Sequence, residues 1–155
     1  MQEIERKFLV KSMAFKREAF KTSEISQGFL NSDKHRTVRI RLTDDQGFLT
    51  IKGKSSASGL TRYEWEKEIS VVDAKDLLKF CEPGLISKMR YYVKVNQHVF
   101  EVDEFYGENK GLVIAEVELN SEQENFQSPD WIGEEVTGQI KYYNAMLAKK
   151  PYSRW

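Results

Sequence analysis

Five pairs of like charges stand two residues apart in this sequence: Glu3 and Glu5, Arg39 and Arg41, Glu64 and Glu66, Lys88 and Arg90, Glu116 and Glu118. Residues i and i+2 share a face of a β-strand. Like charges so placed repel, and a sheet selected for stability alone would not repeat the arrangement. Something must compensate them. A divalent cation compensates clustered carboxylates, and magnesium often bridges one or two carboxylates to substrate phosphates. A polyanion compensates clustered Arg and Lys, because the guanidinium fork matches phosphate oxygens. The chemistry indicated is that of a bound metal ion facing a bound phosphate chain.

These pairs lie in segments of period two. Gln2 to Val10 sets Glu3, Glu5 and Lys7 against Ile4 and Phe8, and Thr37 to Leu42 sets Arg39 and Arg41 against Val38, Ile40 and Leu42. The same alternation runs through Gly47 to Lys52, Arg62 to Ser70, Ser87 to Val95, His98 to Tyr106 and Leu112 to Leu119, with Glu24 to Leu30 as a weaker strand. About eight strands result. Short helices are expected over Ser12 to Phe20, over Ala74 to Cys81 with Asp73 as its cap, and towards the end of Glu134 to Lys149. The fold class is α+β, mainly β, over one domain spanning residues 1–155. The plain alternative is an amphipathic sheet with its charged side in water. If instead the strands close with charged faces inward, both charge types line one tunnel, since barrel strands alternate inward and outward residues. The apolar faces then point outward, where helices cover part of them and a homodimer would cover more.

Composition narrows the classes. Charged residues make up 31% of the chain, yet 24 Lys and Arg balance 24 Asp and Glu. A nucleic-acid binder ordinarily carries a basic excess, so no nucleic-acid partner is expected. No run approaches the roughly 18 apolar residues of a membrane span, and charges at Glu3, Glu5, Arg6 and Lys7 interrupt any leader. The lone Cys81 forms no internal disulfide, which with the many lysines reads as cytoplasmic. No Ser-His-Asp or Cys-His arrangement is apparent. The segment GFLTIKGKS has P-loop composition, but its glycines are one residue too far apart and no helix follows. His35 and His98 read as surface or structural, and Trp65, Trp131 and Trp155 as packing aromatics.

The segment EIERKFLV carries an E-x-E-x-K signature, and VRIRL, LTIKGK, RYEWEKEI, SKMRYYV, FEVDEFYGENKGLVIAEVEL, PDWIGEEVTG and YYNAMLA follow in order. In this series the chain resembles the CYTH superfamily of triphosphate tunnel metalloenzymes, most closely its compact bacterial branch, which includes inorganic triphosphatases. The resemblance implies an eight-stranded antiparallel closed barrel forming a tunnel. It implies metal ligands at Glu3, Glu5, Asp103, Glu116 and Glu118, and Mg2+ or Mn2+ as cofactor. It implies phosphate contacts from Lys7, Arg39, Arg41, Lys52, Lys88 and Arg90, a wall pair at Glu64 and Glu66, and further contacts from Lys54 and Lys141. Catalytic weight falls on Glu5, Glu118 and Lys88. In some relatives a Tyr pairs with the lysine matching Lys88; here Phe29 stands in that place and has no hydroxyl. The implied activity is hydrolysis of a triphosphate-bearing small molecule, inorganic tripolyphosphate first. Adenylate cyclase, thiamine triphosphatase and a non-catalytic polyphosphate binder are the alternatives.

Overall fold

The computed structural model describes residues 1–155. The strands are β1 (Gln2–Val10), β2 (Lys21–Asn31), β3 (Arg36–Leu42), β4 (Gly47–Gly53), β5 (Thr61–Ile69), β6 (Ile86–Val95), β7 (His98–Phe105), β8 (Val113–Glu118) and β9 (Ile132–Glu135), and the helices are α1 (Phe15–Glu18), α2 (Val71–Leu78) and α3 (Asn144–Lys149). Eight strands form an antiparallel ring in the order β1, β5, β4, β3, β2, β6, β7, β8 and back to β1. No helix is long and apolar enough to cross a membrane.

The ring closes on β1, which divides one of its edges between two partners. Gln2 to Ile4 pair with Tyr63 to Thr61 of β5. Beyond that point the chain of β5 has ended, and β9 takes over, pairing with Phe8 and Val10. The Lys7 carbonyl accepts from Val136 N–H at 2.8 Å, and Lys7 N–H donates to Thr137 Oγ1 at 3.0 Å. Backbone groups left inside the wall would otherwise lack partners, at a cost comparable to a lost hydrogen bond each. This explains why Ile132 to Glu135 is extended, and why the helix expected within Glu134 to Lys149 is confined to its last six residues.

The apolar faces point outward, as the alternation implied. Over β1, β6, β7 and β8 they are covered by α1 and by the segment around Trp131. There Phe8, Phe15, Phe100, Val102, Val117 and Trp131 form the main apolar cluster. Trp131 is 1% exposed and meets Phe15 and Phe100 edge-on at 5.7 Å. Removing such a side chain costs about 3–5 kcal/mol. A second cluster, with Ile86, Phe105, Ile114, Tyr142 and Leu147, fastens α3 to one end of the ring. On β4 and β5 the outer face is thinly covered, and Ile51, Tyr63, Trp65 and, at the C-terminus, Trp155 remain more than a third exposed.

Helix α2 starts earlier than expected. Ser70, not Asp73, is its cap: Ser70 is extended, and its Oγ accepts from Asp73 N–H at 3.0 Å. The chain after α2 lies close against β2, where a Cβ on Gly28 would come within 2.6 Å of Leu85 Cδ2. The helix expected over Ser12 to Phe20 shrinks to four residues, because Ala19 is already extended ahead of β2.

Candidate active site

The inward faces enclose a cavity of about 740 Å³. Glu3, Glu5, Lys7, Arg39, Arg41, Lys52, Lys54, Glu64, Glu66, Lys88, Arg90, Glu116 and Glu118 all line it. Strand register sets their neighbours: Glu5 lies opposite Glu118 and Lys7 opposite Glu116 on β1 and β8, Lys52 opposite Glu64 on β4 and β5, and Arg90 opposite Asp103 on β6 and β7. Two expected residues stand elsewhere. Lys141 is drawn over the Trp155 ring at 4.5 Å and the Tyr142 ring at 5.3 Å, outside the cavity lining. Asp103 sits behind the lining, 1% exposed. Its oxygens accept from Arg90 Nε at 2.7 Å and Arg90 Nη2 at 2.9 Å, and Lys88 Nζ lies at 2.8 Å.

The basic residues outnumber the acidic ones around the cavity, although the whole chain is neutral. Arg41 is half-buried; desolvation, then the Arg39 and Arg90 guanidiniums, pull it down to about 9. Burial is also the largest influence on Lys88, and with Arg90 and Arg41 it outweighs Asp103, bringing the ammonium down to about 7. Crowded, desolvated cations of this kind are relieved by an anion. Arg39 makes the same point through its hydrogen bonds. Its Nη2 donates to Thr50 Oγ1 at 3.1 Å and Glu66 Oε2 at 3.4 Å, but Nε is the one buried side-chain N or O atom with no partner. A buried guanidinium nitrogen without an acceptor costs about 1–3 kcal/mol or more, and a phosphate oxygen in the cavity would satisfy it.

On the acidic side, burial raises Glu5 well above the ordinary carboxylate range, and Glu116 and Glu3 push it further. Glu116 goes the other way despite its burial, held well down by Lys7, Arg90 and a hydrogen bond with Glu5. The two carboxylates stand in opposite electrostatic settings: Glu116 has Lys7 at 3.4 Å and Arg90 at 3.7 Å, whereas Glu5 has no cation within 4 Å. Glu3 and Glu118 are raised as well, chiefly by burial. A hard divalent cation fits this donor set: the lining offers carboxylate oxygens and no His or Cys. A bound cation would supply the opposing charge that Glu5 lacks. Three donors are not gathered ready-made, because lysines stand among them, with Lys52 at 2.8 Å from Glu3 and Lys7 at 3.4 Å from Glu116.

Several lining residues were not singled out from sequence as site residues. Arg62 donates to Gly53 O at 2.7 Å and Thr37 Oγ1 at 2.9 Å. Its place on the alternating face of Glu64 and Glu66 was a usable signal, as was the place of Glu101 on the face of Asp103. Tyr143, with Lys7 Nζ 5.0 Å above its ring, and Asn144 come from the α3 end and had no pattern to announce them. Phe29 lines the cavity beside the cations and presents only carbon.

Comparison with known proteins agrees with this architecture. The CYTH domain model matches residues 1–152. The chain is 46% identical over 155 residues to an inorganic triphosphatase of Acetivibrio thermocellus, a match covering 99% of this chain and 97% of the relative. It is 36% identical over 152 residues to an inorganic triphosphatase of Nitrosomonas europaea, covering 96% and 97% of the two chains. A crystal structure of an inorganic triphosphatase superposes with a TM-score of 0.63 at 32% identity, covering 94% of this chain and 93% of that one. The family match spans nearly the whole sequence, and the chain belongs to the CYTH domain family.

Proposed function

We propose that this protein hydrolyses the terminal anhydride of a triphosphate, inorganic tripolyphosphate foremost, with Mg2+ or Mn2+ as cofactor. The observation that carries the reading is one cavity divided between desolvated cations, with Arg39 Nε unpartnered, and the carboxylates clustered on β1 and β8. The near full-length relatives named inorganic triphosphatase support it. Glu3, Glu5, Glu116 and Glu118 would hold the cation, which supplies Lewis-acid charge neutralisation and lowers the pKa of water. Asp103 is the weaker candidate ligand, being engaged by Lys88 and Arg90.

Arg39, Arg41, Lys88 and Arg90 hold the phosphate oxygens, and their charge offsets the negative charge on the phosphates that are not transferred. Phosphate binding draws Lys7 and Lys52 away from Glu116 and Glu3 and so releases those carboxylates for the cation. Glu5 and Glu118, in register on neighbouring strands, orient the attacking water. The water oxygen bonds to the terminal phosphorus, the anhydride P–O bond breaks, and orthophosphate and diphosphate leave. Phe29, Ile140 and Met146 add apolar wall to the cavity, which keeps a nucleoside triphosphate as the second reading. A cytoplasmic setting fits the single free thiol, and the exposed face of Ile51, Tyr63 and Trp65 fits a homodimer.

The test is substitution of the carboxylates. Glu5→Gln and Glu118→Gln are expected to abolish metal-dependent phosphate release while the melting temperature is held or raised. Near-normal turnover in both would contradict the assignment.

A further inference from the structure

Lys88 is fully buried and its ammonium has two partners: Asp103 at 2.8 Å and Asn144 Oδ1 at 2.9 Å. Asn144 is the first residue of α3, from a part of the chain 56 residues away. The same Oδ1 accepts from Gln27 Nε2 at 2.8 Å, and Gln27 Oε1 accepts from Arg41 Nε at 2.8 Å. The amide orientations follow from this chemistry. Lys88 and Arg41 can only donate, so Asn144 must turn its oxygen to Lys88, and Gln27 its oxygen to Arg41. Gln27 is then left with its NH2 towards Asn144, and no other arrangement satisfies all four groups. Gln27 is 0% exposed, so the relay is dry where it crosses β2.

We infer that Asn144 is a positioning residue for the reaction. Through one carbonyl oxygen it fixes Lys88 directly and Arg41 by way of Gln27, tying two phosphate-holding cations on β6 and β3 to the helix at one end of the cavity. Phe29 has no polar atom to offer, so beside Asp103 the hydrogen-bond partner of the ammonium comes from α3. The inference rests on the triphosphatase reading and adds to it a dependence of the cation geometry on the C-terminal helix. A long, flexible ammonium held by Asp103 alone would keep its charge but lose its direction, and misplacement of a positioned group is costly in rate.

The experiment is a double-mutant cycle on tripolyphosphate hydrolysis, with Asn144→Ala, Lys88→Met and the double variant, and melting temperatures recorded throughout. Asn144→Ala is expected to lower kcat/KM about tenfold or more, the scale of a lost hydrogen bond to a charged group. In the Lys88→Met background the further loss is expected to be less than about threefold, because its main client is gone. Gln27→Leu cuts the arm to Arg41 without adding charge and is expected to lower kcat/KM by about threefold or more on its own; it also decides the matter if Asn144→Ala folds poorly. Equal losses from Asn144→Ala in the two backgrounds, or a wild-type rate in Gln27→Leu, would overturn the relay. An inactive wild type would instead overturn the underlying reading, and the relay's role in the reaction with it.

Discussion

Replacing Asp103 with asparagine separates two roles a buried carboxylate can have in this cavity. Asp103 accepts from both Arg90 Nε and Nη2 and pairs with Lys88, all within 2.9 Å and all nearly solvent-free. Against the cost of burial, Arg90 and then Lys88 hold it down to about 2. The change Asp103→Asn removes the charge and turns an amide donor towards groups that only donate. Arg90 keeps Glu101 at 3.3 Å and Glu116 at 3.7 Å, but Lys88 keeps no carboxylate within 4 Å. Breaking a buried ion pair from one side costs roughly 3–5 kcal/mol. At about 2–4 °C per kcal/mol for a domain of this size, the melting temperature should fall by roughly 6–20 °C. Tripolyphosphate should restore more of that loss than it adds to wild type, since it gives both cations a new anion. Thermal unfolding with and without tripolyphosphate, in EDTA, reads both effects. Unchanged stability together with a large loss of metal affinity by calorimetry would refute this bracing role and make Asp103 a metal ligand.

Trp131→Ala should cost about 3–5 kcal/mol of stability in urea denaturation, yet leave kcat on tripolyphosphate near wild type at temperatures where the variant is folded, because Trp131 packs outside the ring. Acid stability should depend on Asp103. Its folded pKa lies below the unfolded value of 3.8, so its contribution is complete above about 4 and is lost as pH falls towards 2. Asp103 should therefore account for about 2 kcal/mol of the stability lost between pH 4 and 2 in urea denaturation, and that share, though not the share of Glu116, should be missing in Asp103→Asn.

Much of the wall was legible in the sequence because its inward face is so unlike an ordinary solvated one. Charges at i and i+2 fixed the face of β1, β3, β5, β6 and β8 before any strand was paired, and those residues do meet in one cavity. What the pattern did not carry was register. Nothing in the spacing of Lys88, Arg90 and Asp103 says that Asp103 will stand opposite Arg90 and be consumed there. Lys141 is close in sequence to cavity residues, but a single turn of chain directs it onto Trp155 instead. β9 was missed because its four residues carry too little alternation, and the demand that creates it, the unpaired edge of β1, belongs to the assembled ring. Asn144 and Gln27 are uncharged singletons, and only the folded chain brings them within 2.8 Å.

The central claim is most directly tested by measuring phosphate release from tripolyphosphate and from ATP in parallel, with Mg2+, with Mn2+ and with EDTA, while assaying the ATP reaction for cyclic AMP. Rapid release from tripolyphosphate that needs the metal, with ATP slow and no cyclic AMP, is the expected result. Release that persists in EDTA, or cyclic AMP formation without tripolyphosphate hydrolysis, would contradict it.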